Sequence, residues 1–244
     1  MKILLAPSES KNSGGEAIFD LNSLFLPQIN SARQEALSSY EEAINSNNYQ
    51  ELSKLFGIKK ADEIEQIIKE FKSKRCLKAI KRYSGVAFDY LDYDSLDSSS
   101  KEYLHHNLII FSNLFGVVKA NDLIPNYKLK QGENIGSLNI EKLYKSALKE
   151  PLDSYLQSED ILDLRAKYYD KFYKPNKKYT TLKFLKDGKV VSHWAKAYRG
   201  MVLRQLALNK VESIEEFLKL DIKNLEILEI REAKNSQEII YKIV

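Results

Sequence analysis

Cysteine is almost absent from this chain, in which Cys76 is the single one among 244 residues. A lone cysteine excludes an internal disulfide framework and is typical of a reducing compartment. Long apolar runs are missing as well, since none approaches the roughly 20 residues that span a bilayer. The apolar run near the amino terminus, Ile3–Ala6, is too short for a secretory signal. These absences predict a cytoplasmic protein with no membrane partner.

Signatures of metal and cofactor binding are also missing. His105 and His106 are adjacent on a predicted helix and therefore point in different directions, which is poor geometry for a metal. The sequence has no cysteine pair, spaced histidine pair, Walker loop or dinucleotide fingerprint. We therefore expect no metal and no cofactor. Neighbouring cations can lower the pKa of the Cys76 thiol, but a plain buried helix thiol is the favoured interpretation.

Positive charge is concentrated in one part of the chain. The overall net charge is +4, but residues 161–210 contain 13 Lys or Arg against three Asp, a local net charge of +10. The other residues therefore sum to −6. Such asymmetry indicates an anionic partner, although a solvated basic face would give the same count. Charge alone does not choose between a polyanion and a phosphorylated small molecule.

The apolar pattern predicts a mixed α/β (α+β) fold, with a mixed sheet surrounded by helices in one domain over 1–244. Strands are predicted at Lys2–Ala6, Ile161–Arg165, Thr180–Leu185, Lys189–His193 and Glu238–Val244, with Asp187-Gly188 as a hairpin turn. Helices are predicted over 31–82, 100–114, 139–157 (interrupted by Pro151), the segment after His193, and 213–219.

The most informative stretch is 192–208, a strand end that runs into a helix. Its first turns carry Lys196 and Arg199, where cations are unfavourable unless an anion lies nearby. On a helical wheel these two share one side with Gly200 and Arg204, so Gly200 is a bare spot between basic side chains. This arrangement predicts a site for phosphate or another anion. The alternative is that internal carboxylates neutralise the cations and Gly200 allows close packing.

Other candidates follow the first strand and precede the basic helix. Ser8, Ser10 and Lys11 lie in a polar loop after a buried strand, a common way to place a binding loop at a sheet edge. In an enzymatic hypothesis, Lys196 and Arg199 clamp a phosphate. Ser8 or Ser10 and Tyr169 then stand near the reacting group. Ser10, Lys11 and His193 have the chemistry for nucleophilic catalysis, but the sequence does not show that they meet.

Residues 113–123 resemble a helix-hairpin-helix element. Gly116 would form the tight turn and Lys119 would open the next helix, which turns backbone N–H groups toward a nucleic-acid phosphate. The usual second glycine of such a hairpin is replaced by Val118. An ordinary helix–turn–helix corner fits equally well.

Several segments taken together resemble the YaaA peroxide-stress family, in the family's order and from one end of the chain to the other. They include Pro-Ser-Glu-Ser-Lys, Arg-Tyr-Ser-Gly, Tyr-Tyr-Asp-Lys and Ser-His-Trp-Ala-Lys-Ala-Tyr-Arg-Gly-Met, within residues 1–11, 82–85, 114–129, 168–171 and 192–201. The resemblance implies a cytoplasmic bacterial protein linked to protection from hydrogen peroxide and to limiting free iron. It also implies one mixed α/β fold with a basic cleft and a helix-hairpin-helix element, for which DNA binding has been proposed.

The residues that match the family by position are Ser8, Gly85, Gly116, Asp122, Pro125, Tyr127, Tyr169, Lys171, Lys196, Arg199, Gly200 and Arg204. The predicted set that binds anions or nucleic acid is Lys11, Gly116, Lys119, Lys128, Lys171, Lys196, Arg199, Gly200 and Arg204. Lys119 and Lys128 stand where the family has arginine, which keeps the charge but loses the bidentate fork. Residues 165–167, Arg-Ala-Lys, also depart from the small and acidic residues expected there.

Two functional hypotheses follow. The first is a stress protein that binds double-stranded DNA through a basic cleft, with little sequence preference, and limits iron-dependent damage. The second is an enzyme that acts on a nucleotide or a phosphorylated small molecule held by Lys196 and Arg199. A long open groove would favour DNA, whereas a deep pocket would favour the small molecule.

Overall fold

The centre of the fold is a sheet built from the most apolar segments of the chain. The protein is described by a computed structural model that covers residues 1–191 and 194–244. Its strands are β1 (Lys2–Leu5), β2 (Ala17–Ile18), β3 (Arg75–Lys78), β4 (Leu108–Ser112), β5 (Gly116–Lys119), β6 (Leu123–Pro125), β7 (Ile161–Leu164), β8 (Tyr179–Lys186), β9 (Lys189–Val190), β10 (Leu225–Glu232) and β11 (Ser236–Ile243).

Helices pack around this sheet. They are α1 (Asn30–Asn45), α2 (Tyr49–Phe56), α3 (Ala61–Lys72), α4 (Ala79–Arg82), α5 (Val86–Leu91), α6 (Ser98–Asn107), α7 (Ile140–Leu156), α8 (Trp194–Asn209) and α9 (Ile214–Phe217). Within the described ranges, no helix combines the length and the apolar character that crossing a membrane requires. The predicted class, a mixed sheet surrounded by helices, is confirmed.

The main sheet has the strand order β10-β11-β8-β7-β1-β4-β5, with β9 paired to β8. Strands β11, β8, β7, β1 and β4 run parallel to one another, whereas β5, β9 and β10 pair antiparallel with them at the margins. The chain starts in the middle of this sheet at β1, adds β4 on one side, and then crosses to β7 on the other. The carboxyl ends of β1 and β7 therefore flank a topological switch point, the place where open α/β sheets bind ligands.

The predicted helix over 100–114 is wrong in its second half. Helix α6 ends at Asn107, and the next five residues form β4, in which every residue is buried. A continuous apolar run that is buried on both faces is typical of a central parallel strand. Periodicity does not distinguish such a run from a buried helix segment, which explains the error.

The helix-hairpin-helix prediction for 113–123 is also wrong. These residues form the turn after β4 and the antiparallel strand β5, which pairs Ser112 with Gly116 and Ile109 with Lys119. Gly116 has φ +73°, and a Cβ there would lie 2.6 Å from the ring of Tyr144. The glycine is therefore required by a buried turn under a tyrosine ring, where no phosphate reaches the backbone.

Most other predicted elements are confirmed with shifted ends. Helix α7 continues through Pro151 to Leu156 because its buried face continues across the proline. Asp187 and Gly188 have φ +50° and +73°, the two positive values that a tight hairpin turn between β8 and β9 requires. Strand β3 interrupts the helices predicted over 31–82, and Cys76 lies on it instead of on a helix. The predicted strand end at His193 lies outside the described residues.

Helices α5 and α8 approach each other so closely that only glycine fits between them. A Cβ on Gly200 would lie 2.2 Å from the carbonyl oxygen of Ala87 and 2.9 Å from the Cβ of Tyr90. One turn later, the Arg204 guanidinium donates to the carbonyl oxygens of Leu91 at 2.8 Å and Asp92 at 2.9 Å. Arg204 thus satisfies orphan carbonyls at the end of α5. Close packing, the alternative interpretation of Gly200, is the one the structure shows.

Two fully buried arginines fasten loops to the core. Arg33 donates to the carbonyl oxygens of Phe25, Leu26, Phe115 and Val117 at 2.6, 3.3, 3.0 and 2.7 Å, and so joins α1 to the β4–β5 turn. Arg82 donates to the carbonyl oxygens of Asn12, Gly14 (2.8 Å), Arg75 (3.0 Å) and Ile124 (3.2 Å). Each guanidinium is held by peptide oxygens, which supply several acceptors to one buried cation.

We expect Gly200→Ala to destabilise the fold, although alanine is the better helix former by about 1 kcal/mol. The new methyl group would overlap a backbone oxygen, so α8 has to move away from α5 at a cost of about 1–3 kcal/mol. Chemical denaturation measures the change. The control is Leu208→Ala on the same helix, where the side chain is 38% exposed and the loss should stay below about 1 kcal/mol. A stabilised Gly200→Ala variant would contradict the close approach.

Candidate functional site

A cavity of about 380 Å³ lies at the carboxyl edge of the parallel strands. Its wall comes from residues 5–10 at the end of β1 and beyond it, Asn113 after β4, and Leu164, Ala166 and Tyr169 at the end of β7 and beyond it. The first turn of α5 and two cations of α8, Lys196 and Arg199, close the other sides. The cavity therefore lies at the switch point between β1 and its neighbours, where strand ends splay apart and leave room for a ligand.

The loop after β1 is shaped by contacts within itself and with the start of α5. The Ser8 hydroxyl accepts a hydrogen bond from the Ser10 N–H at 3.2 Å, and the Ser84 N–H donates to the Ser10 carbonyl at 3.1 Å. Gly85 has φ +102°, and a Cβ there would lie 3.1 Å from the Ser8 hydroxyl oxygen. Glycine at this point lets the loop approach the first turn of α5, so that both serines line the cavity.

The cationic side of the cavity comes from α8. Lys196 is exposed, whereas Arg199 is partly buried and its Nε atom is fully enclosed. Among residues 1–191 and 194–244, this Nε has no hydrogen-bond partner. Burial lowers the pKa of Arg199, and the nearby Asp163 carboxylate opposes that shift. A buried guanidinium donor with no acceptor costs free energy that a bound anion can recover.

The floor of the cavity is polar, and its polar groups already have hydrogen-bond partners within the protein. The Tyr169 hydroxyl donates to the Asn113 side-chain oxygen at 3.0 Å, and the Asn113 amide nitrogen donates to the Leu129 carbonyl at 3.0 Å. Burial raises the pKa of Tyr169 well above its usual value, with Tyr127 adding to the shift. Tyr169 is therefore a neutral phenol at physiological pH, and its proton is already donated to Asn113.

Arg165 holds this floor in place. Its guanidinium forms a bidentate pair with Asp163, with nitrogen–oxygen distances of 2.8 and 2.7 Å, and donates to the carbonyl oxygens of Tyr169 at 3.2 Å and Tyr173 at 2.9 Å. The Arg165 side chain is 1% exposed. It therefore adds no charge to a surface that could meet a polyanion. Its hydrogen bonds position the segment that carries Tyr169.

Lys11 lies behind the cavity loop in an aromatic enclosure. Its ammonium nitrogen donates to the Ser8 carbonyl at 3.2 Å and lies 4.1 Å from the Tyr127 ring centre and 5.2 Å from that of Tyr83. Burial lowers its pKa from 10.5 to about 7, and the charge of Lys128 adds to the shift. Lys11 thus supports the Ser8 turn, and its charged form is less favourable than that of an exposed lysine.

The predicted site residues divide into those at the cavity and those elsewhere. Five line it: Ser8, Ser10, Tyr169, Lys196 and Arg199. Two stand beside its loop, since Lys11 bonds to Ser8 and the Lys128 ammonium donates to the Glu9 carbonyl at 3.2 Å. The structure does not bring together the remaining five: Gly116, Lys119, Lys171, Gly200 and Arg204.

Each residue outside the cavity has a different local role. Gly116 and Gly200 are buried at close contacts, and Arg204 binds the end of α5. Lys119 is paired with Ile109 at the amino-terminal side of the parallel strands, opposite the cavity, and its ammonium lies 5.2 Å from the Phe25 ring centre. Lys171 is exposed and bonds to Glu141 at 3.2 Å.

Sequence interpretation missed Asn113 and Gln131 as parts of the wall. Asn113 follows β4 directly, so the rule that ligands lie beyond the carboxyl ends of parallel strands would have found it, had β4 not been assigned to a helix. Gln131 lies in an irregular segment between β6 and α7 and carries no sequence signal for this position.

Cys76 is unsuited to reaction at neutral pH. The residue is 2% exposed, and burial raises the pKa of its thiol to about 11. The thiol is therefore protonated and shielded, as expected for the plain buried thiol favoured by the sequence analysis. Within the described ranges, no group of three or more His, Cys, Asp or Glu side chains is placed to hold a metal ion.

Lys11→Met should raise stability most at and below pH 7. In the unfolded chain Lys11 titrates near 10.5 and in the folded chain near 7, so between these values the unfolded state binds more protons and wild-type stability rises with pH. The advantage of the methionine variant should therefore shrink as the pH rises from 7 to 10.5. Thermal melts across this range measure it, with Lys171→Met as a surface control. A difference independent of pH would contradict the enclosure of Lys11.

Comparison of the sequence with known proteins identifies the family of this chain. The family model described as peroxide stress protein YaaA matches residues 1–230. An uncharacterised protein of Campylobacter jejuni is 46% identical over 245 residues, covering 100% of both chains. UPF0246 proteins of Corynebacterium glutamicum and Malacoplasma penetrans are 32% and 29% identical, covering 100% and 99% of this chain and 100% and 96% of their own. With the family model spanning nearly the whole chain, and in agreement with the motifs in its sequence, this protein belongs to the peroxide stress protein YaaA family.

Proposed function

We propose that this peroxide-stress protein binds a phosphorylated small molecule of about nucleotide size in the carboxyl-edge cavity. The observation that carries the proposal is the guanidinium of Arg199, which belongs to the cavity wall and whose enclosed Nε has no acceptor among the described residues. Anions are the ligands that satisfy such a donor and neutralise its charge together. Lys196 stands exposed beside it and supplies a second cation at the mouth.

The size of the cavity supports a small ligand. Its volume of about 380 Å³ falls in the range of sites for small molecules and cofactors, roughly 300–1,000 Å³. A duplex is far wider than such a cavity, so DNA would reach only its rim. By the criterion of pocket against groove, the geometry favours the small phosphorylated ligand.

The distribution of basic residues supports the same choice. Several cations of the positive segment 161–210 are engaged at separate places in the fold. Arg165 is buried against Asp163, Lys177 bonds to the carbonyl oxygens of Gln157 and Glu159, and Lys178 pairs with Glu232 at 2.9 Å. The local charge of +10 is thus divided among several sites, which weakens the case for one continuous basic track.

The cavity also holds hydroxyl groups near the cations. Ser8 and Ser10 belong to the wall, and Ser8 is oriented by the turn that Lys11 supports. Hydroxyl and backbone N–H groups beside a guanidinium are a usual set for holding phosphate oxygens. In this proposal Arg199 and Lys196 bind the phosphate, and Ser8 and Ser10 orient the group attached to it.

Binding to double-stranded DNA is the second candidate function. It is supported by the exposure of Lys196 at the mouth of the cavity and by the excess of positive charge in 161–210. Because residues 113–123 do not form a helix-hairpin-helix element, one argument for DNA binding no longer applies.

Arg199→Met should weaken the binding of a nucleoside monophosphate by about tenfold or more, since a charge-assisted hydrogen bond contributes roughly 1.5–3 kcal/mol. Without ligand, the variant should melt at the wild-type temperature or above it, because an unpartnered buried donor is removed. Isothermal titration calorimetry and thermal melts give the two numbers. Lys171→Met, which also removes one cation but from a residue outside the cavity wall, serves as the matched control. Equal affinity in wild type and Arg199→Met would refute the proposal.

Duplex DNA, in the second hypothesis, should bind with a steep dependence on salt and little dependence on sequence. Neutralising about four to six phosphates gives a slope of roughly −4 to −5 in a log–log plot of affinity against salt. Fluorescence anisotropy with a labelled duplex measures the slope. A nucleoside monophosphate added as competitor shows whether both ligands use Arg199. Failure to bind at low salt would end the DNA hypothesis and leave the small-molecule proposal standing.

A further inference from the structure

One edge of the main sheet is a long strand with an apolar, uncovered surface. Strand β10 is the last in the sheet order and pairs only with β11 among the strands of the described residues. Seven of its eight residues are exposed. Ile227, Leu228 and Ile230 are 40%, 57% and 40% exposed. A long apolar edge strand with free N–H and C=O groups is a template for pairing with another strand.

A bulge in β10 determines which of its side chains share a face of the sheet. The pairing with β11 shifts register between Ile227 and Glu229, so Leu228 is the extra residue. Ile227 lies opposite Tyr241 and Ile230 opposite Ile239, two residues of β11 that share a face. The bulge thereby places two isoleucines, three positions apart, on one face of the edge.

The opposite face of β10 carries charged side chains, with a carboxylate near one end of the strand and a guanidinium near the other. Glu226 lies opposite Lys242 and Arg231 opposite Glu238, again residues of β11 that share a face. Arg231 bonds to Glu229 of its own strand at 2.8 Å. Glu226 has no ion pair or side-chain hydrogen bond with any residue in the described ranges. The edge thus offers one unmatched carboxylate at one end and a guanidinium at the other.

We propose that β10 pairs antiparallel with β10 of a second copy of this chain, which joins two main sheets into one continuous sheet. The two-fold axis passes beside Leu228 and Glu229. In this register Glu226 of each copy meets Arg231 of the other, and Ile227 of each meets Ile230 of the other. Opposite charges and isoleucines therefore meet across the axis, as a self-complementary two-fold interface requires.

The bulge makes this register possible. In a regular antiparallel pair related by a two-fold axis, opposed residues are separated by an even number of positions, because backbone groups point outward at alternate residues. Glu226 and Arg231 differ by five positions and Ile227 and Ile230 by three. The one extra residue, Leu228, restores the alternation on both sides of the axis, so both pairs can form together.

Neighbouring registers are poorer. Sliding one strand by two positions in one direction opposes Glu226 with Glu229, and sliding it the other way opposes Ile227 with Glu232. Like charges directly opposite each other are destabilising in a strand pair, and either shift separates Glu226 from Arg231 and Ile227 from Ile230. The proposed register is also the one in which the strand pairs along its full length from Leu225 to Glu232.

Charge reversal tests the register. Sedimentation equilibrium of the full-length chain over a range of concentrations should show a reversible monomer–dimer equilibrium. Glu226→Arg should raise the dimer dissociation constant by about tenfold or more, because two attractive pairs become two repulsive ones. Arg231→Glu should act in the same way. The double variant Glu226→Arg with Arg231→Glu should restore dimerisation toward the wild-type constant, since the two charges are exchanged in both copies.

Circular dichroism confirms that each variant is folded, and Glu226→Arg keeps the test valid should the loss of the Arg231–Glu229 pair harm folding. Lys219→Glu, an exposed change on the segment after α9, is the matched control and should leave the constant unchanged. A wild-type chain that stays monomeric at all concentrations would overturn the proposal. A dimer indifferent to both charge reversals would do the same, since it would then use another surface.

Discussion

The buried guanidinium of Arg82 is the contact on which the geometry of the cavity depends. It gathers carbonyl oxygens from the loop after β1, from β3 and from β6, three segments that are distant in sequence. The loop that carries Ser8 and Ser10 continues directly into the carbonyls of Asn12 and Gly14. A rigid anchor two residues beyond Ser10 fixes where the serines stand relative to α5. An apolar side chain in its place would leave the buried carbonyl oxygen of Ile124 without this donor and would release the loop after β1.

Arg33 makes a similar arrangement at the turn between β4 and β5. Its five donors hold the entry to α1 and the turn between β4 and β5. Asn113, at the start of that turn, reaches the floor of the cavity. The two arginines therefore stabilise two of the segments from which the wall is built, while the cations that face the cavity belong to α8. Structural charges and the charges of the proposed binding site are thus divided between different helices.

Much of the fold was predictable from the residues, and the parts that were not have identifiable physical causes. Strands β1 and β7 are short apolar segments ended by polar or charged residues, and Asp187-Gly188 permits few structures other than a hairpin. Strand β4 was taken for helix because an all-apolar segment carries no period. For the site, helix-start cations identified Lys196 and Arg199. The same wheel placed Gly200 and Arg204 beside them, since a wheel shows direction but not which neighbour occupies that side.

The family resemblance identified the family of the chain, but it did not show which matching residues serve packing. Its ordered motifs identified the family, yet several matching residues serve packing: Gly116 lies under Tyr144, and Gly200 lies on Ala87. Residues kept for a tight contact and residues kept for a ligand look alike in a sequence. Only the three-dimensional neighbours separate them, as the different environments of Arg199 and Arg204 illustrate.

The contact of Gly200 with Ala87 has a consequence for how a ligand enters. Helix α5 supplies one wall of the cavity and α8 the other, and the glycine contact together with the Arg204 bonds joins them into one rigid piece. The walls then have little freedom to open or close around a guest. Association should be a single bimolecular encounter whose rate rises linearly with ligand concentration without levelling off. Such a preformed site loses little conformational entropy on binding and selects its ligands by size.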